Sequence, residues 1–152
     1  MNHDDLVNLL VATAGDRIHV YRAGPNELLH VGLATFDGDG CEVGVHIIET
    51  RLGLLVTDGG SVWERLSFDM FVRPVPTRNE RKTAEKLARA FRVVWDNEQT
   101  RLVRRASERN VVDVVHRVAA ASIALDAARV FWKPRWWHAQ RGDHPDAKSV
   151  RQ

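Results

Sequence analysis

Leu54-Leu55-Val56-Thr57-Asp58-Gly59-Gly60-Ser61-Val62-Trp63-Glu64-Arg65-Leu66 is the stretch on which the fold turns. Three consecutive apolar residues run into a Thr-Asp-Gly-Gly turn, and a helix start follows. Ser61 and Glu64 have the spacing of a capping box, in which each side chain satisfies a backbone amide of the other. The stretch therefore predicts a buried strand, a tight turn and a short amphipathic helix carrying Val62, Trp63 and Leu66. Consecutive Leu54, Leu55 and Val56 predict a strand covered on both faces. Asp58 sits between strand and helix. It can cap the helix, accept from its own turn with Gly59 or Gly60 at positive φ, or serve a site.

Upstream, Asp4 to Ala14 predicts a helix, with Leu6, Leu9, Leu10 and Thr13 on one face and Asp4 and Asp5 at its positive end. Three alternating segments follow. Ile18 and Val20 mark the first strand, Leu29, Val31 and Leu33 the second, and Val43, Val45 and Ile47 the third. Asp37-Gly38-Asp39-Gly40 joins the last two as a tight hairpin turn. Downstream, Thr77 and Glu80 form a second capping box that opens a helix over 78–91. Its inner face is Ala84, Leu87, Ala88 and Phe91, and its outer face carries Arg78, Arg81, Lys82, Lys86 and Arg89. Segments 92–95 and 100–105 predict a short hairpin. A long helix from about Glu108 to Trp132, capped by Ser107, carries Val111, Val114, Val115, Val118, Leu125 and Ala128, with a strand as the rival reading of its valine-rich first turns.

The order helix, four strands, helix, hairpin, helix predicts an α+β fold on a mostly antiparallel four-stranded sheet. A single domain over 1–132 is expected, followed by a polar tail over 133–152 that contains Trp136 and Trp137. No apolar run reaches the length of a membrane span. The N-terminus lacks the pattern of a secretory signal, and the lone Cys41 excludes an intramolecular disulfide, so a cytoplasmic protein is expected.

The net charge of +2 hides a polarity. Residues 1–77 hold 5 basic and 11 acidic side chains, residues 78–109 hold 10 and 5, and residues 110–152 hold 7 and 4. An acidic sheet half thus precedes a basic helical half, and fields of that kind steer charged partners.

Thr57-Asp58-Gly59-Gly60, preceded by the Phe36-Asp37-Gly38-Asp39-Gly40 loop and followed by a short helix ending at Leu66, resembles a bacterial and phage family, domain-of-unknown-function family 1828. Val94-Trp95-Asp96-Asn97 with Leu102-Val103, and the terminal helix, have counterparts in it. Val56 stands where that family more often has leucine. Its members occur in prophages, plasmids and defence-related neighbourhoods, and it carries no established catalytic residues. The resemblance implies a mobile-element accessory protein.

Three chemistries compete for the side chains. The first is macromolecular binding. Arg78, Arg81, Lys82, Lys86 and Arg89, with Arg101, Arg104 and Arg105 of the hairpin, can track a phosphate backbone, and Trp136 and Trp137 can stack on bases or a protein. The second uses Asp37, Asp39, Glu42 and Asp58 as an acidic partner surface that presents carboxylates where a nucleic acid presents phosphates. The third is a metal-dependent hydrolase built on the same carboxylates with Glu49, but no lysine follows a strand glutamate as the commonest nuclease pattern requires. His19, His30 and His46 lie opposite the apolar positions of their strands, so they share a sheet face if those strands are neighbours. They would then either face solvent or bind zinc. Cys41 lacks a sequence-adjacent base.

The expected function is therefore non-enzymatic. The chain reads as a phage or mobile-element accessory protein that modulates or inhibits a host nucleic-acid-processing or defence complex, an anti-CRISPR-like inhibitor included. Direct DNA or RNA binding through the basic helix and hairpin is the alternative, and a metal-dependent hydrolase the second. No metal or cofactor is expected, and the expected partner is a host protein or ribonucleoprotein, with self-association left open.

Overall fold

Period-two alternation before residue 58 and again after residue 100 becomes one antiparallel sheet. The computed structural model describes residues 3–14, 18–22, 29–36, 40–63 and 75–129. Helix α1 (His3–Ala14) leads into β1 (Ile18–Arg22), β2 (Leu29–Phe36), β3 (Glu42–Thr50) and β4 (Gly53–Thr57). A further helix opens at 61–63. Then come α2 (Arg78–Ala90), β5 (Val94–Asp96), β6 (Arg101–Ala106) and α3 (Val111–Arg129).

The α+β class is as the sequence predicts, but the sheet has six strands in the order β1-β2-β3-β4-β6-β5. The β5–β6 hairpin is not a separate feature. Backbone amides and carbonyls along the free edge of β4 need partners, and β6 supplies them, with Leu54 opposite Ala106 and Thr57 opposite Val103. The chain therefore returns after α2 to extend its own sheet, which leaves β4 inside and β5 at the edge.

Leu29, Val31, Val45, Ile47, Val56 and Leu102 are fully buried on one face of the sheet. That face takes the helices. Leu6 and Leu10 of α1, Ala84 and Ala88 of α2, and Val111, Val114, Val115, Val118 and Leu125 of α3 are buried against it in one cluster. Trp63, also fully buried, packs on Trp95 with ring centroids 5.2 Å apart. Helix α3 lies across β3, β4 and β6, while α2 rests on α3 and β5. Only Val56 of the three apolar residues in β4 is fully buried. Leu54 and Leu55 are half-buried, which corrects the expectation of a strand covered on both faces.

Helix α2 begins as its capping box predicts. Thr77 Oγ1 accepts from the Glu80 amide at 3.3 Å, and the Glu80 carboxylate accepts from the Thr77 amide at 2.7 Å. It ends in a Schellman motif: the Val93 amide donates to Ala88 O at 2.8 Å, and the Arg92 amide donates to Arg89 O at 3.1 Å. Helix α3 starts at Val111, three residues later than the sequence suggests. Asn110 Oδ1 accepts from the Ser107 amide at 2.7 Å, so Ser107 closes the preceding turn instead of capping the helix. The Asp37–Asp39 turn, Glu64 and Leu66 of the first capping box and its helix, and the tail with Trp136 and Trp137 lie outside the described residues.

Candidate functional site

Strand register decides which polar side chains meet. On the face away from the helices, Tyr21 is opposite His30, His30 is opposite His46, and His46 is opposite Thr57. One row over, His19 faces Gly32, and Gly32 faces Gly44. The three histidines do share a face. His30 and His46 are in ring contact, with centroids 4.6 Å apart and planes at 60°. His19 Nε2 lies 3.9 Å from Glu42 Oε1, with the two side chains 54% and 33% exposed.

Glycines make room for this row. A Cβ at Gly32 would meet Glu42 Oε2 at 2.8 Å, and one at Gly44 would collide with His30 Nε2. Paired glycines in adjacent strands thus give the Glu42 and His30 side chains slots in which to lie flat on the sheet. Beyond β4, a Cβ at Gly59 would come within 3.0 Å of His46 Cδ2 and Nε2. The sequence signal for this arrangement is present, since Gly32 and Gly44 fall at the polar positions of otherwise apolar strands, but only register shows that they are opposite each other.

The row ends at Asp58. Its Oδ1 accepts from the Leu102 amide at 2.8 Å and from the Gly60 amide at 3.0 Å. The Asp58 amide donates in turn to Leu102 O at 3.2 Å, so the residue replaces one rung of the β4–β6 ladder. Gly59 and Gly60 both take positive φ, 66° and 77°, which folds the turn back over its own carboxylate. Asp58 is 1% exposed, and Oδ2 has no hydrogen-bond partner among the described residues. Burial drives its pKa from an ordinary aspartate's 3.8 up to about 6. The Gly60 and Leu102 amides and the nearby His46 oppose that rise without cancelling it. Asp58 is therefore no part of an acidic partner surface, because the returning strand β6 and the Gly59-Gly60 turn leave its side chain buried. Asp37 and Asp39, its expected companions, lie outside the described residues, and Glu42 is turned toward His19.

Among the described residues, no group of three or more His, Cys, Asp or Glu side chains is arranged to hold a metal ion. Cys41 is exposed. Leu52 and Leu54 border a cavity of about 300 Å³, with Glu49 and Glu108 also in its wall.

The basic residues divide between two sides of the molecule. Arg78, Lys82, Lys86 and Arg89 are exposed along α2, while Arg81 is half-buried. None of these five forms an ion pair among the described residues. Their spacing of four, four and three residues keeps the exposed four on one face over about 16 Å of helix. In β6, alternation sends Arg101 and Arg105 to the histidine face and Arg104 toward the helices. Arg101 is held by Asp96 at 3.2 Å, and Arg105 is exposed. Helix and hairpin therefore do not form one continuous basic surface.

No family model, no curated protein and no solved structure matches the chain. The site must speak through its own chemistry. Among the described residues no helix is long and apolar enough to cross a membrane.

Proposed function

We propose that the protein is a non-enzymatic accessory protein that engages a nucleic-acid-processing complex through its nucleic acid, using the exposed face of α2. One observation carries this reading. Four cations, Arg78, Lys82, Lys86 and Arg89, stand exposed in line on a helix whose other face is fixed in the core by Ala84 and Ala88. A row of charges on a helix already fixed in the core needs no backbone ordering when it meets a phosphate backbone, and each phosphate neutralised releases condensed counterions. By holding the nucleic acid, the protein would modulate the machine that acts on it. A mobile-element setting, in which that machine belongs to a host defence system, is the context that the resemblance to family 1828 supplies.

The test is a salt titration of binding to labelled duplex and single-stranded oligonucleotides. Four phosphate contacts give a log–log slope of roughly −3 to −4 on duplex DNA. Reversal of Lys82 and Arg89 to glutamate should abolish binding while leaving the circular dichroism spectrum intact. Absence of binding by the unaltered protein at 50 mM salt (about the lower end of the range where such contacts are strong) would end this reading.

A further inference from the structure

Arg92 occupies the position after the α2 C-cap with φ of 56°, in the left-handed region. The two Schellman hydrogen bonds, Val93 to Ala88 and Arg92 to Arg89, require that conformation. Glycine is the residue that takes it without penalty, because any Cβ there crowds the following carbonyl. Val93 and Ala88, which flank the corner, are both buried, so the corner is fixed by packing and cannot relax. Arg92 itself is exposed and forms no ion pair among the described residues. Among the described residues its side chain thus forms no ion pair, while its backbone is held in a region that favours glycine. The two hydrogen bonds and the burial of Val93 hold the corner without any help from an arginine side chain, so an exposed guanidinium with no ion-pair partner among the described residues is open to an anionic ligand.

The ligand chemistry is set by what leads up to the corner. Arg89 lies three residues before Arg92, and Lys86, Lys82 and Arg78 continue the line toward the N-terminus of α2. We infer that Arg92 is a phosphate-contacting residue, the fifth cation of the α2 row. It extends the nucleic-acid interface past the end of the helix, at a cost in stability. The inference rests on the nucleic-acid reading of α2 and adds to it a residue whose role in binding and role in folding have opposite signs.

That opposition makes the test sharp. Arg92→Gly and Arg92→Asn both keep the left-handed corner and remove the cation; Arg92→Lys keeps a cation. Each is measured as the full chain for thermal midpoint and for affinity toward a labelled duplex across a salt series. Arg92→Gly is expected to raise Tm by about 2–4 °C. It should also weaken binding several-fold at low salt and lower the salt slope by about one. Arg92→Asn should weaken binding alike, and Arg92→Lys should leave the slope unchanged. If Arg92→Gly binds with the affinity and slope of the unaltered protein, the role assigned to Arg92 is wrong while the reading of α2 stands. If the unaltered protein does not bind, both fall together.

Discussion

Asp58 holds the Leu102 amide at 2.8 Å across 44 residues of chain. That single acceptor ties the turn after β4 to the strand that returns from α2, and it does so with a carboxylate buried at the end of a row of imidazoles. A charged group in such a place is tolerated because two backbone amides point at it, yet burial still lifts its pKa to about 6.

The pH dependence follows with a definite sign. The native carboxyl takes up its proton near pH 6, whereas in the unfolded chain it does so near 4. Between those values the native state holds more protons, so stability rises as pH falls through the window and the penalty is fully present above pH 6. A displacement of about 2 pH units corresponds to about 3 kcal/mol. Urea unfolding of the unaltered protein and of Asp58→Asn between pH 4 and 8 isolates this contribution. The difference between the two curves should change by a few kcal/mol across the window, and a constant difference would contradict a raised pKa.

Asp58→Ala behaves differently. It leaves the Leu102 and Gly60 amides buried without their acceptor, at about 1–3 kcal/mol each. A loss of about 2–5 kcal/mol in urea unfolding at neutral pH is expected, partly offset by relief of the buried charge. Asparagine, which keeps the acceptor oxygen, should lose less.

How much of this was legible beforehand depends on what sets each element. Caps and alternation act within a few residues, so Thr77 with Glu80, the valine stripe of α3 and the β2–β3 pairing are all visible in the sequence. The partnership of β4 with β6 is not, because strands separated by a helix carry no register signal of their own. The burial of Asp58 depends on that partnership, and a Thr-Asp-Gly-Gly turn reads as exposed until the returning strand covers it. The same distance in sequence explains why the basic hairpin looked continuous with the basic helix: alternation puts Arg104 and Arg105 on opposite faces, but only the sheet shows which of those faces carries α2.

The glycine slots predict a separable effect. Gly44→Ala places a methyl where His30 Nε2 now lies, and the obstacle is the tip of a side chain that can rotate. The expected stability change is small, within about 1 kcal/mol, since a strand position gains from losing glycine roughly what the repacking costs. The His30 and His46 imidazole proton resonances should shift as their ring contact opens. Gly59→Ala should be worse for the fold, by about 1–3 kcal/mol, because it combines the His46 approach with a φ of 66°. Equal costs for the two would contradict this account.

The division of the arginines gives the last prediction. Arg105 and Lys82 are both exposed cations, but the sheet lies between them, Arg105 on the histidine face and α2 on the other. A nucleic acid seated on α2 is separated from Arg105 by the thickness of a sheet and a helix layer, about 10 Å of largely apolar protein, and exposed charges farther apart than that are screened at 0.1 M salt. Charge reversal of Lys82 should therefore weaken binding at least tenfold at low salt, while Arg105→Glu should leave affinity within about threefold, a residual field effect that fades as salt is added. A mobility-shift titration of the two variants side by side reads the difference directly. Comparable losses from both would mean that the ligand wraps the edge formed by β5 and touches both faces.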